Sequence, residues 1–143
     1  MPMNDAVTPL AERVFRAVEN RDIDGALSAM APNVLLFDPH YPKPQMNGHA
    51  EVRAGLEWGL SVMERFGFSV TNTFLAADGL SGAVEVDSNH TLKVGKVLSF
   101  PQVFVFETQD GLITRLQAYE PYGPNGMGGF MLGLERLKRR IFR

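Results

Sequence analysis

At Phe68 the apolar residues of this chain change their spacing from a period of 3.6 to a period of 2, and that switch limits the folds open to it. Ahead of it, Leu10, Val14, Phe15 and Val18 recur on one helical face, and Thr8 followed by Pro9 marks the start of a helix predicted to run to about Asn20. Asp22 caps a second, short helix whose apolar residues Ile23, Leu27 and Met30 stop at Pro32. A longer helix is predicted over Gly48 to Phe66, with Val52, Leu56, Met63 and Phe66 as its inner stripe and Trp58 and Val62 beside it. Past Phe68, three turn signals, Ala77-Asp78-Gly79, Val94-Gly95-Lys96 and Gln109-Asp110-Gly111, cut the chain into four strands of an antiparallel meander. Helices that precede such strands specify α+β architecture, in which they cover one face of a curved antiparallel sheet.

The chain of 143 residues, 45% of them hydrophobic, reads as a single domain over 1–143, with a core over 8–122 and a Gly-rich hinge and C-terminal helix over 123–143. That last helix carries Phe130, Leu134, Leu137 and Ile141 on one side and is expected to act as a lid or to dock on a neighbouring subunit. Arg136, Lys138, Arg139, Arg140 and Arg143 form a basic cluster in its last turns, where cations favour the helix dipole, and with a net charge of -2 the chain is not expected to bind nucleic acid. No apolar run approaches the roughly 18 residues that cross a bilayer, so no membrane partner is expected. With no cysteine to place it in an oxidising compartment, the default address is the cytoplasm.

One strand carries the chemistry. Val34-Leu35-Leu36-Phe37 is an apolar run that ends in Asp38-Pro39-His40-Tyr41. Packing alone gives no reason for a core strand to finish in a carboxylate, which leaves water only when it is paired or neutralised. Asp38 is therefore either a turn residue before Pro39 or one wall of a polar hole, and His40, an imidazole two residues on, is its natural acid/base partner. No His-x-His or His-x-x-x-His spacing supports a metal site, and none is expected.

The order of elements, with Arg21-Asp22-Ile23-Asp24-Gly25-Ala26-Leu27, Phe37-Asp38-Pro39, Asn47-Gly48-His49-Ala50-Glu51-Val52-Arg53 and Asp110-Gly111-Leu112-Ile113-Thr114-Arg115-Leu116-Gln117-Ala118-Tyr119, resembles the SnoaL-like and ketosteroid-isomerase-like branch of the nuclear transport factor 2-like superfamily. The likeness covers residues 8 to about 122. It implies a cone-shaped sheet around the N-terminal helices, a cystatin-like α+β barrel with an added C-terminal helix, enclosing a ligand cavity and commonly forming a homodimer. Asp38 matches the general base of the ketosteroid isomerases. Their oxyanion-binding tyrosine and aspartate align with Val14 and Gln102, so those donors are absent here. Of the limonene epoxide hydrolase triad only Asp87 is kept, Glu85 and Ala118 standing at the other two places.

With the strand parity that the resemblance implies, Val84, Val86, Val103 and Val105 face outward and call for burial in a homodimer, His90 also faces outward, and Glu85, Asp87, Gln102 and Glu120 face a cavity walled by Phe74, Phe100, Phe104, Leu116 and Trp58. The resulting reading is a pocket protein for a small hydrophobic molecule, acting without cofactor on an apolar cyclic or polyketide-like substrate by isomerase, cyclase or dehydratase chemistry. Asp38 would be the base and His40 or Glu120 the acid, with Val14, Tyr41, Trp58, Phe74, Glu85, Asp87, Gln102, Phe104, Leu116 and Ala118 as ligand contacts. The alternative is a non-catalytic ligand-binding or assembly module on the same fold. Absence of the oxyanion donors leaves both open.

Overall fold

The computed structural model describes residues 8–121 and 126–142. Its elements are α1 (Thr8–Glu19), α2 (Ile23–Ser28), β1 (Met30–Phe37), β2 (Gln45–Asn47), α3 (Gly48–Val62), β3 (Met63–Arg65), β4 (Phe68–Leu75), β5 (Ser81–Leu92), β6 (Val97–Gln109), β7 (Leu112–Tyr119) and α4 (Gly126–Ile141). The strands form one curled sheet in the order β2-β1-β7-β6-β5-β3, with β4 also paired to β5. The meander predicted beyond Phe68 is present. Pairing is antiparallel except between β1 and β7, which run parallel because the chain between them crosses over through α3 and the meander.

That parallel pair positions the site. Leu36 lies beside Leu116, so β1 and β7 reach their carboxyl ends together, and the inward series Val34, Leu36, Asp38 runs alongside Leu116, Ala118, Glu120. In β5 and β6, Val84 pairs with Phe104 and Val86 with Gln102, which puts Val84, Val86, Ser88 and His90 on the same inner face, all buried. Leu10, Val14, Phe15 and Val18 of α1 and Val52 and Leu56 of α3 close over that face. Phe15 is at the centre, its ring centroid 5.0 Å from that of Phe68 and 4.9 Å from that of Phe104.

The expected parity of β5 is reversed. Val84 and Val86 point into the core, while Asp87 is exposed and Glu85 half-buried on the outer face. The cause is the β5–β6 turn. Leu92 N–H donates to Lys96 C=O at 2.8 Å, and Gly95 adopts a φ of +95°, so the hairpin closes by pairing even residues with even ones. A slip of one residue exchanges the two faces of a strand, and the inward parity read for β6 cannot coexist with the outward parity read for Val84 and Val86. Val103 and Val105 do lie on the outer face, half-buried, as expected.

The third helix is shorter than predicted. It ends at Val62, and Met63–Arg65 runs as β3 against Leu92 and Thr91 of β5. Arg21, itself in the left-handed region at φ 59°, places its guanidinium at that helix end and donates to the Met63 carbonyl at 3.0 Å and to the Leu60 carbonyl. A cation there satisfies carbonyls that α3 leaves unpaired and complements its dipole.

The Gly-rich hinge expected from Gly123 is not a separate segment over its described part: residues 122–125 lie outside the described residues, and from Gly126 onward the chain is already α4. Every described side chain of α4 from Phe130 to Ile141 is exposed, and none lines the cavity, so α4 is not a closed lid in this structure. No helix among the described residues is long and apolar enough to cross a membrane.

Candidate ligand cavity and its acid/base end

Between the inner sheet face, α1 and α3 lies a cavity of about 440 Å³. Most of its wall is apolar, supplied by residues such as Phe15, Leu56, Phe66, Phe68 and Phe104, and its polar side chains are few. A space of this size with a handful of polar groups suits a small, largely apolar ligand.

Asp38, His40 and Glu120 meet at one end. His40 Nδ1 is 2.5 Å from Glu120 Oε2, the imidazole being exposed and the carboxyl buried. The Asp38 carboxylate is held by a short turn in which His40 N–H donates to Oδ1 at 3.0 Å and Tyr41 N–H donates to the Asp38 carbonyl at 3.2 Å. Pro39 follows without disrupting pairing because β1 has already ended. Burial, the negative charge of Asp38 and a hydrogen bond to that carboxylate push Glu120 up to about 8, against a downward pull from the Gln102 amide. Glu120 is therefore the carboxyl that holds a proton at neutral pH, beside a second carboxylate able to receive one.

A chain of hydrogen bonds ties this end to the core. Ser88 Oγ donates to Gln102 Oε1, and Gln102 Nε2 donates to Glu120 Oε1 at 2.6 Å. Both Ser88 and Gln102 are buried, and no buried side-chain nitrogen or oxygen among the described residues lacks a partner. Tyr41 stands beside them as a neutral phenol, its pKa driven far up by burial and by the charges of Asp38 and Glu120.

Asp38, His40 and Glu120 each offer a ligand atom within 4.8 Å of the others, enough in number for a cation. Two atoms bound to a shared ion at roughly 2.0–2.2 Å from it would stand about 3 Å apart or more. His40 and Glu120 stand closer than that, in direct contact with each other.

Of the residues singled out in the sequence, Asp38, His40, Glu120, Val14, Tyr41, Trp58, Gln102, Phe104 and Leu116 all line the cavity. Four do not. Phe74 pairs with Ala83 and is exposed on the outer face, and Glu85 and Asp87 lie outside through the parity of β5. Ala118 is buried on the inner face beside Phe104 but falls short of the cavity. His49 begins α3 and bonds the Met30 carbonyl at 3.0 Å. His90 is the main residue that was misplaced: it is 5% exposed, lines the cavity and stands against the rings of Phe66, Phe68 and Phe100. The signal for it was the Gly95 turn, whose closure sets the parity of β5.

A curled sheet closed by helices over an apolar cavity with an acid/base end defines a cone-type α+β pocket fold. The chain belongs to the SnoaL-like domain family, whose model matches residues 11–116. Among solved structures it is similar to the Delta 5-3-ketosteroid isomerase of Mycobacterium sp., at 23% identity and a TM-score of 0.71 over 80% of this chain and 92% of that one. It is also similar to a Mycobacterium tuberculosis protein in complex with estradiol-17beta-hemisuccinate, at 19% identity and a TM-score of 0.73 over 82% and 95% of the two chains. A computationally designed 17-OHP binder matches at 19% identity and a TM-score of 0.74 over 82% and 94%. These likenesses show the fold. No curated protein matches the chain by sequence.

Proposed function

We propose that this protein takes an apolar cyclic small molecule into the cavity and moves a proton on it, with Asp38 as base and Glu120 as the acid that returns a proton. The observation that carries this reading is the pairing of two carboxyls at one end of an otherwise apolar cavity, one of them protonated at neutral pH. For a ketone substrate, Asp38 would take a proton from the carbon next to the carbonyl, leaving the electron pair delocalised onto the carbonyl oxygen as an enolate; Glu120 would give its proton to the enolate to form the product, and the proton left on Asp38 would pass to Glu120 or to water, restoring the base. His40, exposed and bonded to Glu120, links that acid to solvent so that its proton is replaced between turnovers. The steroid-related names of two structural neighbours support the ligand class. The active form in this reading is a homodimer joined through the outer sheet face, where Val103 and Val105 lie.

The test is deuterium exchange at the α-carbon of a small cyclic ketone such as 2-tetralone in D2O. Exchange well above background that Asp38→Asn abolishes is the expected result. Binding of the ketone with no exchange above background would leave a ligand-binding module and remove the catalytic part.

A further inference from the structure

His90 takes no part in the acid/base end, yet it is a buried imidazole on the cavity wall. Gly67 N–H donates to its Nδ1 at 3.1 Å, which leaves the proton of the neutral ring on Nε2. Among the described residues Nε2 has no hydrogen-bond partner. It is also not sealed in, since no buried side-chain nitrogen or oxygen there goes unpaired. On a residue only 5% exposed whose ring lines the cavity, the open side of Nε2 is the cavity itself.

The chain fixes this tautomer deliberately. A Cβ at Gly67 would stand 2.6 Å from the Asn89 carbonyl oxygen, so only glycine lets the link between β3 and β4 approach β5 closely enough for its amide to reach the ring. Asn89 N–H donates back to the Gly67 carbonyl at 2.9 Å and locks the approach. Arg65, bonded to the Asn89 side chain at 2.9 Å, adds a fixed positive charge beside the ring. Burial, Arg65 and His40 together hold the imidazole neutral, its pKa lowered to about 4.

We propose that the Nε2–H of His90, aimed by the Gly67 amide, is the donor that reads an acceptor oxygen, a carbonyl or an ether, on an otherwise apolar ligand. His40 and His90 both pack against the ring of Phe100, at 5.4 and 5.8 Å between centroids, so the donor and the acid/base end serve one ligand in one space. This inference rests on the small-molecule reading given above and narrows its ligand class: apolar, with an oxygen acceptor directed at His90. A neutral donor in a water-poor wall selects strongly, because a ligand without the acceptor leaves it unpaired.

Two probes of nearly the same shape, 9-fluorenone and fluorene, separate the ketone oxygen from the rings that carry it. Calorimetric binding to the wild-type chain should favour fluorenone, and His90→Phe should cut fluorenone affinity by roughly tenfold while leaving fluorene unchanged. In the wild-type chain labelled with 15N-histidine, the Nε2–H signal of His90 should shift with fluorenone and stay in place with fluorene, a readout that does not depend on the variant folding. An unchanged fluorenone preference in His90→Phe, or a His90 signal indifferent to fluorenone bound in the cavity, overturns the assignment while leaving the cavity reading intact. Failure of both probes to bind the wild-type chain overturns the small-molecule reading and this assignment with it.

Discussion

Glu120 Oε2 and His40 Nδ1 stand 2.5 Å apart although the first side chain is 4% exposed and the second 62% exposed. The contact joins a carboxyl that burial keeps protonated to an imidazole in exchange with water. A buried acid can act repeatedly only if something returns its proton, and His40 is placed to do so.

The raised pKa of Glu120 makes stability depend on pH in a defined direction. The group ionises near 4.5 when unfolded and near 8 when folded, so between those values the folded chain holds more protons and its stability falls as pH rises. His90, lowered from 6.5 to about 4, works the other way and adds stability as pH rises toward 6.5. Urea unfolding of wild type and Glu120→Gln across this range isolates the first effect. The wild type should lose stability relative to the variant between pH 4.5 and about 8. A difference that stays flat with pH would mean that Glu120 ionises alike in both states.

Gln102 is oriented by Ser88 so that its amide nitrogen, not its oxygen, faces Glu120. This donation favours the ionised carboxylate and opposes the upward shift. Gln102→Leu should therefore move the Glu120 titration higher still, read from its 13C carboxyl shift. It also leaves the buried Ser88 hydroxyl without its acceptor, at a cost of roughly 1–3 kcal/mol in urea unfolding. The double variant Gln102→Leu with Ser88→Ala should recover much of that stability without lowering the titration.

The helical periods, the turn glycines and the abrupt end of β1 at Asp38 were legible in the sequence because each is a local signal. Parity in β5 is not legible in the sequence, since Val84-Glu85-Val86-Asp87 alternates equally well in either orientation. Only the closure of the Leu92–Lys96 turn decides between them. That one choice moved Glu85 and Asp87 out of the site and brought Ser88 and His90 in. The end of α3 at Val62 was equally hidden, because it depends on Arg21, over 40 positions earlier in the chain, and on pairing of β3 with β5. Asp38 and Glu120 come together through the parallel pairing of β1 and β7, a tertiary fact that no stretch of sequence states.

Gly59 separates stability from ligand capacity. It lies within α3, where alanine is favoured over glycine by about 1 kcal/mol, but a Cβ there would meet the Tyr41 hydroxyl at 3.2 Å and Phe66 Cζ at 3.4 Å. Both residues line the cavity. Because the Tyr41 contact is the far end of a movable side chain, Gly59→Ala should unfold at a urea midpoint equal to or above that of wild type while binding fluorenone more weakly. A lower midpoint with unchanged binding would show that Tyr41 and Phe66 cannot yield toward the cavity.

The outer sheet face carries Val103 and Val105, half-buried, next to Tyr119 and Phe74, at 45% and 58% exposed. The register places Phe74 beside Ala83, Ala83 beside Val105, and Val103 beside Tyr119, so these side chains form a continuous apolar strip across β4, β5, β6 and β7. An isolated subunit would leave that strip in water, whereas a second copy turned about a two-fold axis covers both strips at once. Val84 and Val86, turned inward, contribute nothing to it. Sedimentation of the wild-type chain at tens of micromolar should therefore give a dimer, and Val105→Lys should shift it to monomer by placing a charge in the middle of the contact. The variant should keep its far-UV spectrum, since Val105 points away from the core. A wild-type monomer at that concentration would show that the strip is not a self-association surface.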